Sequence, residues 1–132
     1  MGAISIRRLA SGDEAVVARI ADDAPRTALL SDPGTILLVA FDEDAPVGFV
    51  LGYLLERRHG DERMLFVYEI DVDETHRRRG VATSLLSELR VHARDAEAFV
   101  LTEPDNEAAN ALYASLGGSP STAVMYEWPP ER

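Results

Sequence analysis

The sequence predicts a single α/β domain in which helices cover both faces of a mixed central sheet. Three observations lead to this prediction: the length, the order of the elements and one strand–helix–strand crossover. The chain, residues 1–132, is long enough to close one hydrophobic core. The elements follow the order β-α-α-β-β-β-α-β-α-β. The crossover after the third consecutive strand implies a parallel pair, because a helix separates its two strands.

The first half of the chain is predicted to hold an edge strand, two helices and a meander. Ala3–Leu9 alternates between apolar and polar residues, as an edge strand does. Ser11 and Glu14 have capping-box spacing, so a helix is expected within Ser11–Asp22, followed by a short second helix before Pro33. Three β-rich runs then predict an antiparallel meander: Thr35–Glu43, Val47–Arg58 and Arg63–Glu74.

In the second half the hydrophobic period changes from two to about four. Val81, Leu85 and Leu89 recur at four-residue spacing, which predicts an amphipathic helix. Ala98–Glu103 is predicted as a buried strand, and Asn106–Gly117 as a helix ended by two glycines and a proline. Thr122–Trp128 is predicted as the final strand. An exposed apolar strand there is compatible with a homodimer.

Composition excludes several classes of site. The chain has no cysteine, so disulfides, thiolate metal sites and an acyl-cysteine intermediate are impossible. His59, His76 and His92 lack metal-ligand spacing, so we expect surface histidines and no metal site. No apolar run approaches the roughly 18 residues of a membrane span. The first residues lack the apolar core of a signal peptide, so a cytoplasmic protein is expected.

The chain is acidic, with a formal net charge of −10, yet it contains three consecutive arginines, Arg77–Arg79. Nucleic acid is not an expected partner, because neutralising phosphates needs a broad basic face. A cationic small molecule or peptide suits the overall field better. Gly80 follows the arginines where a strand turns into a helix, an arrangement that offers N–H groups and a helix dipole to phosphate. The sequence therefore predicts a local anion site, with a solvated arginine cluster as the alternative.

Two stretches of the sequence resemble the motifs of the GNAT N-acetyltransferase superfamily. Arg77, Gly80 and Ala82 occupy the fixed positions of its acetyl-CoA motif, Arg/Gln-x-x-Gly-x-Gly/Ala. The run NEAANALYASLG, residues 106–117, matches its second signature, Asn-x-x-Ala-x-x-Leu-Tyr-x-x-Leu-Gly. The order of elements also matches that fold. The resemblance implies a single-domain GNAT fold and an acetyl-CoA-dependent N-acetyltransferase.

The resemblance also implies roles for the matching residues. Main-chain groups from Ile70 to Val72 would pair with the pantetheine arm of acetyl-CoA, and Tyr113 would act as the general acid near its sulfur. No metal is expected beside this co-substrate. The residues expected to bind acetyl-CoA are Ile70, Val72, Arg77, Arg78, Arg79, Gly80, Val81, Ala82, Thr83, Asn106 and Ala109.

Four acidic residues favour a cationic acceptor amine. Regular pleating of the third meander strand would place Glu69 and Asp71 on one face, together with Leu65 and Val67. The opposite face would then hold Phe66, Tyr68, Ile70 and Val72. Glu103, predicted at the end of the next parallel strand, is the expected general base. Glu127 is expected to reach the same cleft. Each of these acids, taken alone, is explained equally well as a functional residue or as a solvated residue at a strand end.

Three segments more closely resemble the type I aminoglycoside 3-N-acetyltransferases: residues 37–58, 66–86 and 124–128. Those enzymes have aspartate where Glu69 and Glu103 stand. The resemblance implies transfer of an acetyl group to the 3-N amine of an aminoglycoside, which confers antibiotic resistance. Glu103 would be the base, with Glu69, Asp71 and Glu127 binding the amine. Two alternatives stay open: a polyamine or peptide amine as acceptor, and a non-catalytic acyl-CoA-binding domain.

Overall fold

The strands of the protein form one mixed sheet in the order β1-β2-β3-β4-β5. A computed structural model describes residues 3–21 and 24–131, so Asp22, in the predicted first helix, lies outside the described residues. Strands β1 to β4 pair antiparallel and β5 pairs parallel to β4, which confirms the predicted meander and crossover. The strands are β1 Ile4–Arg8, β2 Thr35–Asp42, β3 Ala45–Leu55, β4 Met64–Val72 and β5 Glu97–Val100.

Helices cover both faces of this sheet, as predicted. The α-helices are α1 Glu14–Ile20, α2 Val81–His92 and α3 Glu107–Ser115, with 3-10 turns at Thr27–Ser31 and Glu74–His76. On one face, Leu85 and Leu89 of α2 are fully buried in a core with Leu65 of β4. On the other face, Val17 of α1 packs in a separate core with Val39 of β2.

Helix α1 begins differently from the prediction. Its N-cap residue is Asp13 and not Ser11, so the expected capping box does not form. The Asp13 carboxylate instead accepts hydrogen bonds from the Ala10 N–H at 2.9 Å and from Arg7 at 2.8 Å. The Arg7 guanidinium holds the pKa of Asp13 below its ordinary value. A local ion pair thus replaces the predicted cap, because Asp13 offers a charged acceptor closer to the helix start.

A β-bulge in β4 changes which side chains share a face. Leu51 of β3 pairs with Glu69, but the next residue, Gly52, pairs with Val67, so Tyr68 is the extra residue of the bulge. The extra residue reverses the alternation. Leu65, Val67 and Val72 therefore lie in the same core, and Ile70 packs against it. The prediction that Leu65 and Val67 share a face with Glu69 and Asp71 is wrong for this reason.

The end of the described chain also differs from the prediction. Helix α3 stops in a Schellman motif: the Gly118 N–H bonds the Tyr113 carbonyl at 3.0 Å and the Gly117 N–H bonds the Ala114 carbonyl at 3.0 Å. Gly117 has φ +89, a left-handed conformation that glycine adopts without strain. Residues 119–131 then form no strand and make no backbone hydrogen bond with a described residue, so the predicted strand Thr122–Trp128 is wrong: after the Schellman motif the segment does not pair with the outer edge of β5.

Among the described residues, no helix has both the length and the apolar character needed to cross a membrane.

Candidate active-site cleft

A cleft opens where β4 and β5 diverge. The last pair of the parallel ladder is Val67 with Val100, and β4 continues to Val72 beyond it. The cleft has a volume of about 1150 Å³. Its walls come from the end of β4, the start of α2 and the inner side of α3. The predicted residues that line it are Glu69, Ile70, Asp71, Val72, Arg77, Arg78, Gly80, Val81, Ala82, Thr83, Asn106, Ala109 and Tyr113.

The loop between β4 and α2 is fixed to the strand by Arg77. The Arg77 Nε–H donates to the Val72 carbonyl at 2.9 Å, and its Nη2 lies 3.7 Å from the Asp71 carboxylate. Arg78 and Gly80 both have positive φ, at 64° and 78°. A non-glycine residue rarely adopts such a conformation, which occurs mainly where a backbone is shaped for function. These constraints turn the loop so that α2 begins at the wall of the cleft.

The first turn of α2 is suited to bind an anion. The Ser84 N–H makes the first intrahelical bond, to the Gly80 carbonyl at 2.9 Å. The N–H groups of Val81, Ala82 and Thr83 precede it and have no carbonyl one turn back, and no side chain in the described part of the chain caps them. All three residues line the cleft. Three unpaired donors at the positive end of a helix dipole match the oxygens of a phosphate.

His76 connects the loop between β4 and α2 to Asp42, the last residue of β2. Its Nε2 atom lies 2.9 Å from the Asp42 carboxylate, and its Nδ1 atom lies 2.8 Å from the Thr75 hydroxyl. The imidazole is largely buried and lines the cleft. The prediction of a surface histidine is therefore wrong for His76, because this last residue of the 3-10 turn is held by hydrogen bonds to Asp42 and Thr75. Among the described residues, no group of histidines and carboxylates could hold a metal ion.

Helix α3 contributes Tyr113 and Asn106 to the opposite wall. Tyr113 is half-buried against the α2 core, and burial raises the pKa of its phenol above 10.0. The phenol therefore stays protonated at neutral pH and can donate a proton. The Asn106 side-chain oxygen accepts the Ala109 N–H at 3.1 Å as the helix cap, and Asn106 lines the cleft.

Glu69 and Asp71 form an acidic pair on the wall opposite α2. In the antiparallel register they lie across from Leu51 and Phe49, and directly opposed residues share a face. That face carries the α1 core. The two carboxylates thus point away from the α2 core and are both exposed. They lie on the same face because they are two residues apart in β4, and both line the cleft near the open end of that strand.

The structure does not bring three of the predicted residues into the cleft. Arg79, Glu103 and Glu127 are absent from its lining. Strand β5 ends at Val100, so Glu103 lies in the loop before α3 and not at a strand end. Its main-chain carbonyl accepts hydrogen bonds from the Asn106 N–H and from the Asn110 side chain. Glu127 lies in the unpaired segment after α3 and is exposed.

Sequence reasoning missed several lining residues. Phe49 stands directly opposite Asp71 across the β3–β4 ladder, and Tyr68 is the bulge residue. Leu101 and Thr102 follow β5 where it diverges from β4. Phe49 could have been found from the register set by the β2–β3–β4 hairpins. The sequence gives no comparable indication of the bulge at Tyr68.

Residues 4–117 match the sequence family described as Acetyltransferase (GNAT) family. The chain belongs to this family. Among curated proteins, the L-2,4-diaminobutyric acid acetyltransferase of Nocardia farcinica is 33% identical over 129 residues, covering 88% of this chain and 65% of that protein. N-acetyltransferase 8 of Homo sapiens is 33% identical over 91 residues, covering 67% of this chain and 40% of that protein. The chain spans between 40% and 65% of the length of the curated relatives it matches.

Solved structures with the GNAT fold superpose over nearly the whole chain. An aminoglycoside acetyltransferase from an uncultured soil metagenomic sample has a TM-score of 0.85 at 26% identity, covering 98% of this chain and 99% of its own. Another from such a sample, in complex with sisomicin, has a TM-score of 0.84 at 21% identity, covering 97% of both chains. The aminoglycoside acetyltransferase AAC(6')-Iy in complex with CoA has a TM-score of 0.76 at 17% identity, covering 96% of this chain and 99% of its own. The last two likenesses concern the fold alone.

Proposed function

We propose that the protein is an acetyl-CoA-dependent N-acetyltransferase whose acceptor is a cationic small molecule with several amines, an aminoglycoside first. One observation supports this most directly: an anion-binding helix start and an acidic pair line the same cleft. The first suits a donor that carries phosphates, and the second suits an acceptor that carries protonated amines.

The donor half of the cleft fits acetyl-CoA. The free N–H groups of Val81, Ala82 and Thr83 would hold its pyrophosphate, with the Arg78 guanidinium beside them. The diverging end of β4, from Ile70 to Val72, offers main-chain groups to the pantetheine amides as a neighbouring strand would. Acetyl-CoA supplies the thioester carbonyl that the amine attacks, and a main-chain N–H near Val72 would stabilise the oxyanion that forms.

Two side-chain roles complete the reaction. The attacking amine must lose a proton, and the departing thiolate must gain one. Tyr113 is the proposed acid, because burial keeps its phenol protonated and it lines the cleft. Glu69 or Asp71 is better placed than Glu103 to accept the amine proton, since both line the cleft and Glu103 does not. The sequence-based assignment of Glu103 as base stays a prediction, to be tested beside them.

The charge of the acceptor side favours an amine without its own carboxylate. Asp71 lies near Arg77, but their separation of 3.7 Å and their exposure make a weak ion pair. Glu69 has no cationic partner among the described ion pairs. A multiply protonated sugar amine or polyamine would be attracted to this pair, whereas a substrate carboxylate would be repelled.

A second candidate acceptor is a small diamino acid. It is supported by the diaminobutyric acid acetyltransferases, which match up to 88% of the chain. Such a substrate carries one carboxylate, which would need a cation near the acceptor end. Arg77 is the guanidinium closest to the acidic pair and is already bonded to the Val72 carbonyl. The same assay that tests the aminoglycoside proposal decides between the two.

The test is acetyl-CoA-dependent release of CoA with gentamicin, spermidine, L-2,4-diaminobutyrate and a short peptide. We expect gentamicin to be turned over with the highest kcat/KM, and mapping of the product decides whether the 3-N amine is acetylated. Turnover restricted to diaminobutyrate or the peptide would contradict the aminoglycoside proposal. Binding of acetyl-CoA without turnover of any amine would support a non-catalytic domain.

Single charge-removing variants assign the acids. Glu69→Gln and Asp71→Asn should each raise KM for gentamicin about tenfold, the effect of losing roughly 1.4 kcal/mol of charge-assisted binding. The base among them should also lose kcat about a hundredfold. Glu103→Gln tests the sequence-based assignment in the same assay. Glu62→Gln, in an exposed loop, is the control for the change in net charge.

A further inference from the structure

The bulge in β4 puts an aromatic ring beside a carboxylate. Successive residues of a regular strand point to opposite faces of the sheet, but Tyr68 and Glu69 lie on the same one. The ring of Tyr68 contacts that of Tyr53, which packs in the α1 core. Glu69 stands opposite Leu51, which belongs to the same core. Tyr68 and Glu69 therefore share the α1 face, and both line the cleft.

The ring of Tyr68 belongs to an aromatic patch, consisting of Tyr53, Phe66, Tyr68 and Phe99. Tyr53 and Phe66 each meet Tyr68 in a T-shaped contact, with ring centroids 5.7 Å apart, and Phe99 stacks on Phe66 at 4.8 Å. Such contacts are stabilising and favour one position of the ring. Tyr68 is nevertheless 55% exposed, and of the four rings only its own lines the cleft. The cleft thus has a supported aromatic surface in its wall.

Negative charge surrounds this surface. Burial raises the pKa of the Tyr53 phenol, and the charges of neighbouring groups, among them Glu69 and Asp32, raise it further. Asp32 lies in the loop before β2, where its carboxylate accepts the Gly34 N–H at 2.8 Å. The first residue of β2, Thr35, pairs with Tyr53. A ligand on the patch therefore lies in the field of carboxylates from two different elements, which favours a cation.

An aromatic ring beside a carboxylate suits a particular kind of amine. The negative face of an aromatic ring attracts cations and polarised C–H groups. A saturated ring that bears amines offers both, since one face presents C–H groups and the substituents carry positive charge. A linear polyamine has the charges without a ring face. An amino acid adds a carboxylate, which the local field repels.

We propose that Tyr68 is a specificity-determining residue of the acetyl transfer: a saturated, amine-bearing ring of the acceptor lies on its phenol ring, while Glu69 holds an ammonium group of that acceptor. Tyr53 and Phe66 are positioning residues, because they contact Tyr68 and do not line the cleft. This assignment rests on the proposed function, since it concerns recognition of the same acceptor. It narrows the acceptor to cyclic amines such as aminosugars.

Binding of gentamicin to the protein saturated with CoA tests the assignment without turnover, because CoA carries no acetyl group. Tyr68→Leu keeps an apolar side chain and removes the aromatic face, so the Kd of gentamicin should rise about fivefold. Tyr68→Phe keeps the ring and should bind within about twofold of the wild type. Calorimetric titration measures these constants. Thermal unfolding of each variant checks that it is folded, as expected for a half-exposed position.

A matched control comes from the same patch. Phe99→Leu removes an aromatic ring that does not line the cleft, so gentamicin should bind as it does to the wild type. Spermidine is the matched ligand, and Tyr68→Leu should change its Kd by less than about twofold, because a linear amine has no ring face. The proposal is overturned if Tyr68→Leu binds gentamicin like the wild type, if Phe99→Leu weakens binding equally, or if spermidine loses as much affinity as gentamicin.

Turnover separates this assignment from the proposed function. With gentamicin and acetyl-CoA, Tyr68→Leu should raise KM about as much as Kd and leave kcat within about twofold, because the ring takes no part in proton transfer. A wild-type protein that binds gentamicin without acetylating it contradicts the proposed function, while the comparison of Kd values still decides the role of Tyr68. A wild-type protein that does not bind gentamicin overturns both.

Discussion

Tyr113 is the residue proposed to act as the general acid. Burial raises the pKa of its phenol above 10.0, so the proton is retained below that pH and lost only as pH rises through the higher folded value. If Tyr113 is the acid, kcat should have an alkaline limb above pH 10. Tyr113→Phe should lower kcat by about ten- to a hundredfold and remove that limb. A pH–rate profile at saturating substrate measures both effects.

Tyr53 provides the matched control for this prediction. Burial raises the pKa of its phenol too, and it does not line the cleft. Tyr53→Phe should leave the alkaline limb in place. A limb that disappears in Tyr53→Phe and persists in Tyr113→Phe would contradict the assignment of Tyr113 as acid.

His76 is predicted to act on acetyl-CoA binding through the loop it holds. Its bond with Asp42 fixes the loop that precedes the free N–H groups of α2. His76→Ala should weaken acetyl-CoA binding about fivefold, and Asp42→Asn should do the same. The double variant should lose no more than either single one, because both remove one interaction. Calorimetric titration with acetyl-CoA measures this, and His92→Ala, at the far end of α2, should have no effect.

At the scale of elements, two variants of Gly80, at the start of α2, distinguish the effect of backbone conformation from the effect of charge. Gly80 has φ +78, and a Cβ added there would meet no atom within 4 Å. Gly80→Ala should therefore cost only the strain of a left-handed residue, about 1 kcal/mol of unfolding free energy. Gly80→Asp should in addition repel the phosphates and weaken acetyl-CoA binding more than tenfold. Equal affinities of the two variants would contradict an anion site at this helix.

The elements also show what the sequence could and could not predict. The period of Val81, Leu85 and Leu89 and the paired glycines after α3 depend on local chemistry, and both predictions are confirmed. The bulge at Tyr68 depends on how β4 fits β3 and α2 together, so pleat counting placed Leu65 and Val67 on the wrong face. The strand Thr122–Trp128 failed for a related reason. Its residues have strand character, but pairing also depends on where the chain runs after α3, which the character of the local residues does not determine.

The same limit applies to the candidate site. The residues named by motif position, from Ile70 to Thr83, mostly line the cleft, and their role in binding acetyl-CoA stays a prediction. Glu103 and Glu127 were placed by assuming that two strands run to the cleft. Strand β5 stops at Val100 and residues 119–131 form no strand after α3, so neither carboxylate is carried there. Residues located by a single motif reach the cleft more often here than residues whose position needs two elements to end at the same point.

At the scale of the whole molecule, the net charge of −10 sets a field that should attract a polycationic acceptor. Added salt screens this attraction over a distance of roughly 10 Å at ordinary ionic strength. We expect kcat/KM for gentamicin to fall several-fold from low to high salt, with kcat unchanged, because screening acts on encounter and binding and not on the bound state. Steady-state kinetics across a salt series, at saturating acetyl-CoA, measures this dependence.

Local and global charge can be separated in the same series. Glu69→Gln and Glu62→Gln change the net charge equally, but only Glu69 lines the cleft. Glu69→Gln should reduce the slope of kcat/KM against salt more than Glu62→Gln does. The reason is that the acceptor comes closest to Glu69, and Coulomb attraction is strongest at short distance. Equal slopes in the two variants would mean that attraction comes from the bulk charge alone. In that case the acidic pair would have no particular part in selecting the acceptor.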